Sequence, residues 1–393
     1  MKFEMKTKAL RFLSDIQTGP FGSQLHKEDY VDDGTPIVTV EHLGNRVFTE
    51  QNLPRVSNED KQRLSKYILK EGDIVFSRVG SVDRCSFVDS QHTDWLFSGR
   101  CLRVRPFEEI SPLFLYYFFC LESTKKFMRN IAVGATMPSI NTKLMGEIEV
   151  SYPDKQVQEK IANLLGAIDD KIELNNAIND NLEQQAKALY KDWFLDFSPF
   201  SSDGTLPEGW RIGTVGDIIQ LHDSKRVPLS GTERSKMAKL YPYYGATSLM
   251  DYVDNYLFDG IYLLLGEDGT VVDNLGFPIL QYVYGRFWVN NHAHIITGKE
   301  GFSVEELYLF FGLTNIKSIV TGAVQQKVSQ QNLKKVPAII PSSTALSSFD
   351  ELIQPIFSQI RNLRDENARL TSLRDTLLPK LMSGELDVSA IEI

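Results

Sequence analysis

Residues 134–153 read GATMPSINTKLMGEIEVSYP, and residues 322–341 read GAVQQKVSQQNLKKVPAIIP. Both stretches open on Gly-Ala, close on Pro and precede a long acidic segment. Upstream, the aromatic-rich residues 115–119 correspond to residues 307–311. A repeat with a period near 188 residues indicates two similar halves in one chain.

The segments after the repeated stretches have coiled-coil periodicity. Spacings of four and three alternate through residues 161–193, and the same series recurs at residues 349–381. This seam predicts two long helices that pair antiparallel, and the alternative is that each helix packs only on its own domain. A polar residue interrupts each series, Asn179 and Asn367, and such a residue fixes register. The residues expected to pair the helices are Ile161, Leu165, Ile168, Ile172, Asn179, Leu182, Leu189, Ile353, Ile356, Ile360, Leu363, Asn367, Leu370, Leu377 and Leu381.

The blocks that precede the helices alternate short runs of Val, Ile, Tyr and Phe with Gly, Asp and Asn turns, which is typical of strands. The apolar segments 112–127 and 304–313 predict helices packed on these sheets. We therefore expect an α/β (α+β) fold with mixed, twisted sheets, two long helices pairing as an antiparallel coiled coil, and a pseudo-two-fold internal repeat. The expected boundaries are 1–152 for the first domain, 153–197 for the central helix, 198–341 for the second domain with a linker at 198–206, and 342–393 for the C-terminal helix and tail.

The 393 residues suggest two or three domains, and 42% apolar with 24% charged residues is an ordinary globular balance. The net charge of −9 is uneven: it is 0 over 1–150, −5 over 151–205, −1 over 206–341 and −3 over 342–393. Nucleic acid should therefore contact the two near-neutral blocks, and weakly when the chain is alone. Three cysteines without a CxxC pair favour a reducing cytoplasm, and no apolar run is long enough for a membrane span.

The sequence lacks the motifs of common catalytic sites. We find no GxxxxGK[ST] loop and no Gly-rich cofactor loop after a strand. His292 and His294 could form a metal pair, but no third ligand is evident. Glu267 and Asp268 flank a Gly turn without a positioned partner for acid–base work. We expect neither a metal site nor a catalytic site in this chain.

The chain resembles the specificity (S) subunit of Type I restriction–modification systems. The resemblance covers nearly the whole chain and lies in GATMPSIN at 134–141, EKIANLLGAIDDKI at 159–172, ALYKDWF at 188–194, PEGW at 207–210 followed by VGDI at 215–218, and LLPKLMSGEL at 377–386. One departure is Met137, because members of this family often carry Gln at that place.

The resemblance implies two target recognition domains that each read one half of a bipartite site in double-stranded DNA, with the helices as the spacer. Half-sites read from one face of DNA are expected about one turn, ~10 bp, apart or at a multiple of it. It further implies a subunit without catalysis of its own in a prokaryotic cytoplasm, with no membrane partner. Its partners would be two methylation subunits and the restriction subunits. S-adenosylmethionine, ATP and Mg²⁺ would be bound by those partners.

Arginine reads guanine, Asn and Gln read adenine, and Lys, Ser and Thr contact phosphates, so polar loop residues are the DNA-contact candidates. In the first block they are Ser23, Gln24, Lys27, Arg78, Ser81, Arg84, Thr136, Asn141 and Lys143. In the second block they are Lys225, Arg226, Tyr243, Tyr244, Thr247, Arg286, Gln325, Gln326 and Lys327. Each cluster could instead be a solvated loop, and the two tyrosines are more often core residues.

Three other readings stay open at this point. A coiled-coil adaptor whose blocks bind protein or RNA would also diverge between its two halves. A hydrolase or nuclease would need a catalytic constellation that the sequence does not display. A silent copy that exchanges recognition domains by recombination would have the same sequence features.

Overall fold

The structure is a computed structural model that describes residues 4–322 and 325–388, apart from the side chain of Ser23. It divides into two compact units. The first unit contains residues 4–174 and 366–388, and the second contains residues 175–365 except the two outside the described ranges. Each unit therefore combines one globular block with part of both long helices.

The first unit contains ten strands and four short helices. The strands are β1 (Lys6–Ala9), β2 (Ser14–Thr18), β3 (Tyr30–Val31), β4 (Thr35–Val38), β5 (Arg55–Val56), β6 (Ile74–Ser77), β7 (Cys85–Phe87), β8 (Leu96–Phe97), β9 (Cys101–Pro106) and β10 (Glu149–Tyr152). The helices are α1 (Asn58–Arg63), α2 (Pro112–Cys120), α3 (Glu122–Ile131) and α4 (Thr142–Gly146). An antiparallel sheet has the order β2-β9-β6-β7, β1 pairs with β10, and a small sheet has the order β3-β5-β4-β8 with β4 parallel to β8.

Two helices of 40 residues follow, α5 (Lys155–Phe194) and, at the end of the chain, α10 (Ser343–Met382). The other helices of the second unit are α6 (Val215–Ile218), α7 (Gly231–Arg234), α8 (Val304–Gly312) and α9 (Gln330–Leu333). Its strands are β11 (Arg211–Thr214), β12 (Ile219–Leu221), β13 (Tyr241–Tyr244), β14 (Leu249–Val253), β15 (Phe258–Gly266), β16 (Leu280–Val289), β17 (Ala293–Gly298) and β18 (Pro337–Ile340). They form a pair, β11-β18, and a sheet of order β12-β17-β15-β16-β13-β14 with β13 parallel to β16.

The sequence repeat is a structural repeat. In each unit the first strand pairs antiparallel with the last strand before a long helix, β1 with β10 and β11 with β18. The central order β2-β9-β6-β7 of the first unit recurs as β12-β17-β15-β16 in the second. The offset of 188 residues is kept at the helix starts, Lys155 and Ser343. The predicted α/β class with mixed sheets and two long helices is confirmed.

The apolar segment 112–127 forms two helices rather than the single helix that its composition predicts. The break lies at Leu121, whose backbone is extended at φ −58° and ψ 131°. Every residue from Phe114 to Phe119 is buried, whereas α3 buries only Thr124 and Met128. A helix surrounded by core cannot continue straight into one that packs along a single face, so the chain changes direction at Leu121.

Within each unit the two long helices run in opposite directions. In the first unit Arg374 pairs with Asp169 at 2.7 Å, and the Asn367 amide donates to the Ile172 carbonyl at 3.4 Å. In the second, the Phe349 ring lies 5.7 Å from that of Tyr190. Of the fifteen residues expected to pair the helices, those buried are Ile161, Leu165, Ile168, Asn179, Ile353, Ile360, Leu363 and Leu381, and the others are half-buried.

A carboxylate of α5 joins each globular block to the helix pair. In the first unit Asp169 accepts from the Tyr117 hydroxyl of α2 and from Arg374 of α10, both at 2.7 Å. In the second unit Glu183 accepts from Tyr308 of α8 at 3.0 Å and from Arg364 of α10 at 2.8 Å. Charge-assisted bonds of this kind give geometric specificity as well as energy, so they fix how each block sits on its own helix segment.

Helix α8 buries a carboxylate that forms no ion pair within the described part of the chain. Glu306 caps the helix by accepting from the Ser303 amide at 2.7 Å, but its Oε1 is buried without a hydrogen-bond partner. Its neighbour Glu305 is instead compensated by Arg361 at 3.0 Å. Burial therefore raises the pKa of Glu306 to about 8.

Glu306 should make the stability of the second unit fall as pH rises. The native state keeps this proton up to pH about 8, while the unfolded chain loses it near its ordinary value of 4.5. Between these values the free energy of unfolding falls by about 1.4 kcal/mol per pH unit from this group. Urea denaturation of the full-length Glu306→Gln variant should therefore show a flatter pH dependence than the wild type. The exposed Glu351→Gln change is the matched control, and parallel wild-type and Glu306→Gln curves from pH 5 to 8 would contradict the assignment.

Candidate nucleic-acid interface

Two loops that are far apart in the sequence form one surface in the first unit. The turn after β6 donates from the Gly80 amide to the Pro138 carbonyl at 2.8 Å, and Ile140 donates to the Arg78 carbonyl at 3.0 Å. A further bridge closes the loop on itself between Val133 and Ser139. We call the turn 77–84 and the loop 133–140 together the first platform. It unites two of the three clusters of candidate residues in this block.

Glycine is required at two points of the first platform. Gly80 has φ +75° and Gly134 has φ +111°, both in the left-handed region that other residues rarely adopt. A Cβ on Gly134 would also lie 2.7 Å from the Met137 carbonyl oxygen. The glycine that opens the repeated stretch is therefore a conformational requirement of the loop.

The second unit builds the same surface with the same backbone hydrogen bonds. Gly269 donates to the Gln326 carbonyl at 3.0 Å, and Val328 donates to the Glu267 carbonyl at 2.8 Å. Thr321 bridges Lys327 as Val133 bridges Ser139. We call the turn 267–269 and the described residues of 321–328 the second platform.

A third segment, just before a central strand, joins each platform. Arg78 donates from its amide to the Arg100 carbonyl at 2.8 Å, and Glu267 donates to the His292 carbonyl at 2.8 Å. Arg100 and His292 therefore occupy equivalent places, ahead of β9 and β17. In the first unit the loop that begins at Gly19 also packs here, because a Cβ on Gly99 would lie 2.3 Å from the Pro20 carbonyl oxygen.

The candidates of the first unit differ in how free their side chains are. Arg78 donates to the Gly99 carbonyl at 3.2 Å, Arg84 to the Leu43 carbonyl, and the Gln24 amide oxygen accepts from Tyr67 at 2.5 Å. Asn141 caps α4 through the Leu144 amide at 2.9 Å. The exposed candidates without such a bond are Lys27, Ser81, Thr136 and Lys143. The Ser23 side chain lies outside the described residues.

Two candidates of the second unit are internal rather than available to DNA. Tyr243 is 1% exposed, and its hydroxyl accepts from the Leu229 amide at 3.0 Å. Tyr243 therefore belongs to the core, where a residue in the central part of a sheet is expected. Arg226 is committed to internal acceptors, Glu267 at 2.6 Å and the Ala293 carbonyl at 2.8 Å. A base contact by Arg226 would require breaking these bonds.

The remaining candidates of the second unit lie at its surface. Tyr244 is half-buried with its ring 5.9 Å from that of Phe287, and Arg286 pairs with Asp259 at 3.1 Å. Neither belongs to the second platform. The exposed platform candidates are Gln325, Gln326 and Lys327, and the exposed Lys225 and Thr247 lie outside the platform.

A buried charged network lies behind the second platform. The ring of His294 is fully buried, with Nδ1 2.6 Å from Asp223 and Nε2 2.8 Å from the Val328 carbonyl. The guanidinium of Arg226 forms ion pairs with two carboxylates, with N···O distances of 3.7 Å to Asp223 and 2.6 Å to Glu267. The network thus ties the segment after β12, the turn 267–269 and the end of the loop 321–328 together. In the first unit the buried Leu102 occupies the place equivalent to His294. Apolar packing therefore replaces the charged network behind the first platform.

Asp223, Glu267 and His294 are also the one group of possible metal ligands among the described residues, with ligand atoms within 4.8 Å of one another. The cation position beside them is filled by the guanidinium of Arg226, and Gln330 donates to Asp223 at 2.6 Å. The group is therefore built as an internal ion-pair network and does not fit a metal ion. His292, the other histidine considered as a metal ligand, lies outside this group. Its Nδ1 is 2.5 Å from Oδ1 of Asp268.

Three exposed residues beside the platforms are not among the DNA-contact candidates that the sequence predicts. They are Arg100, His292, and Phe21, which is 64% exposed next to Gly99. The feature of the sequence that could have identified them is their position. Arg100 and His292 directly precede a predicted strand, and Phe21 lies in the first Gly-rich loop. Residue composition alone does not reveal this place, because a residue before a strand need not belong to a polar cluster.

A family model described as the Type I restriction modification DNA specificity domain matches residues 4–184 and 207–372, so the chain belongs to this family. It is 24% identical to the Type I restriction enzyme MjaIX specificity subunit of Methanocaldococcus jannaschii, over 98% of this chain and 94% of that protein. It is 25% identical to the HindI specificity subunit of Haemophilus influenzae, over 84% of this chain and 90% of that protein. The predicted family is confirmed, and the role of this family is DNA specificity in Type I restriction–modification systems.

The fold agrees with that of a solved relative. The crystal structure of a Type I restriction–modification S subunit from M. genitalium superposes with a TM-score of 0.61 at 17% identity, over 97% of this chain and 96% of that one. This likeness concerns the fold alone. In the described part of the chain, no helix combines the length and hydropathy needed to span a bilayer.

The network behind the second platform should depend on the charge of Asp223. Burial alone would raise the pKa of Asp223, but hydrogen bonds from His294 and from the Ile295 amide, together with Arg226, lower it below its ordinary value of 3.8. The stability that this carboxylate contributes is therefore present above pH 3.8 and is lost as pH falls through its lower native pKa.

Replacing Asp223 by Asn should destabilise the protein by about 3 kcal/mol near neutral pH, because it leaves His294 and Arg226 without their shared carboxylate. Guanidinium denaturation of the full chain at pH 7 and pH 3 measures this. The deficit of the variant should shrink at pH 3, because the unfolded wild-type chain takes up this proton below pH 3.8, ahead of the native protein. Asp254→Asn, at an exposed position of the same unit, is the control. Equal deficits at both pH values would show that the charge of Asp223 is not what the network uses.

Proposed function

We propose that the chain reads a bipartite site in double-stranded DNA, with one half-site contacted by each platform. The observation that carries this proposal is the pair of platforms. They share their backbone hydrogen bonds, Gly80 to Pro138 and Gly269 to Gln326, yet they present different side chains. A repeated scaffold with unlike exposed residues suits two readers of two unlike sequences.

The two long helices are proposed to set the number of base pairs between the half-sites. Each is 40 residues long and antiparallel to the other within each unit. Their contacts combine an apolar seam with specific bonds such as Asp169 to Arg374. A polar residue in such a seam favours one register over others, so the separation of the readers would be defined.

The chain is proposed to act with two methylation subunits and with restriction subunits in a prokaryotic cytoplasm. A net charge of −9 leaves few phosphates that this chain alone could neutralise, so those partners would supply much of the DNA clamp. They would also carry S-adenosylmethionine, ATP and Mg²⁺. Affinity of the isolated chain for DNA should accordingly be weak and rise when the methylation subunits are added.

Mapping methylated adenines tests the proposal directly. The full chain is expressed with its neighbouring methylation subunit, and genomic methylation is compared with that of cells lacking this chain. We expect a split motif of two short half-sites that disappears without the chain. With the methylation subunit shown to be active, the absence of any dependent motif would contradict the proposal and favour an adaptor or a silent copy.

The spacer can be tested through the two seam asparagines. Asn179 is buried with an unpartnered Oδ1 among the described residues, and Asn367 donates to the Ile172 carbonyl. The double change Asn179→Leu and Asn367→Leu should leave the protein folded but permit other helix registers. Methylation should then extend to sites whose spacer differs by one or two base pairs. An unchanged spacer preference in the folded double variant would argue against the helices as its source.

A further inference from the structure

Arg100 stands out among the arginines that the structure describes in the first unit. Most others are committed: Arg78 and Arg84 bind carbonyls, and Arg129 pairs with Asp83 at 2.5 Å. In the described part of this unit only Arg100 and Arg369 have no ion pair, hydrogen bond or ring contact from their side chains. Arg369 lies on α10, whereas Arg100 lies beside the first platform.

The backbone that carries Arg100 is held in place. Its carbonyl accepts from the Arg78 amide at 2.8 Å, and the next residue, Cys101, donates to the Ser98 carbonyl at 2.9 Å. Gly99 is packed against the Pro20 carbonyl so closely that no side chain fits. An exposed guanidinium on a fixed backbone is the arrangement that a directional contact to a ligand needs.

The second unit carries a different side chain at the equivalent place. The equivalent residue is His292, whose carbonyl accepts from Glu267 at 2.8 Å as that of Arg100 does from Arg78. The Nδ1 atom of its ring lies 2.5 Å from a carboxylate oxygen of Asp268, so the side chain at this place has an acidic partner in the second unit and none in the described part of the first. Phosphate contacts carry no sequence information and should be repeated on a repeated scaffold. A side chain that differs at an equivalent place is therefore suited to read a base.

We propose that Arg100 is a specificity-determining residue that selects a guanine in the half-site read by the first unit. Its planar fork of donors matches the O6 and N7 acceptors of guanine in the major groove. This proposal rests on the proposed function. It adds the residue and the base, which neither the family nor the platform geometry assigns.

The test replaces Arg100 in the full chain, expressed with its methylation subunit, and maps methylated adenines in genomic DNA. In Arg100→Gln, methylation at the wild-type motif should fall by about 10-fold or more, and one guanine position of one half-site should lose its requirement. Arg100→Lys keeps the charge without the fork, so it should relax the same position with a smaller loss. The other half-site should be unchanged in both variants. Arg369→Gln, the exposed and unpartnered arginine of the same unit, should keep the full motif.

Two outcomes would overturn the proposal. One is that both Arg100 variants retain every position of the motif. The other is that Arg100→Gln loses methylation evenly while Arg100→Lys restores it with the motif unchanged, which would make Arg100 a phosphate contact. The Lys variant keeps the test decisive should the Gln variant fail to fold. Failure of the proposed function would look different, because then no methylated motif would depend on the wild-type chain.

Discussion

The structure depends on one backbone constraint that occurs twice, a hydrogen bond from a left-handed glycine to the loop ahead of the last strand. Gly80 and Gly269 each turn the chain so that their amides meet the carbonyls of Pro138 and Gln326. The bond joins two backbone groups, so it requires no particular side chain at the carbonyl partner. It fixes the loop that leads through one short helix and one strand into a 40-residue helix. The exposed surface and the start of the long helix are thereby positioned by the same local geometry, which does not depend on the exposed side chains.

The long-range periodicity in the sequence was sufficient to predict the helices and the repeat. The alternating spacing of four and three residues is a direct consequence of helix pairing. The helices start at Lys155 and Ser343, two residues after Pro153 and Pro341. The break at Leu121 could not be predicted, because residues 114–119 are all buried and the helical periodicity of apolar residues vanishes in such a helix. The pairing of β4 with β8 and of β13 with β16 was equally hidden, since parallel partners far apart in sequence leave no local pattern.

The candidate site was predicted in part, and the errors have a common cause. Thr136, Ser81 and Gln325 do lie on exposed platform loops, because Gly-rich polar segments are necessarily at the surface. Tyr243 and Arg226 were chosen by residue type, but type does not reveal whether a partner lies across the sheet. The partners, Leu229 for Tyr243 and Glu267 for Arg226, are brought there only by tertiary structure. The free side chain of Arg100 could not be predicted from the sequence for the same reason, since only the fold determines which arginines have an acceptor beside them.

The two units solve the same mechanical problem by different chemistry, and this has a consequence for function. Behind the first platform lies the apolar Leu102, whereas behind the second lie His294, Asp223 and Arg226. An apolar core tolerates changes of shape that conserve volume, while a charged network loses stability when any one partner is removed. The second platform is therefore the more constrained surface, held from behind by charges that must stay paired. In the first unit, substitution of exposed platform residues should therefore affect stability less, because the apolar residues behind that platform do not depend on paired charges.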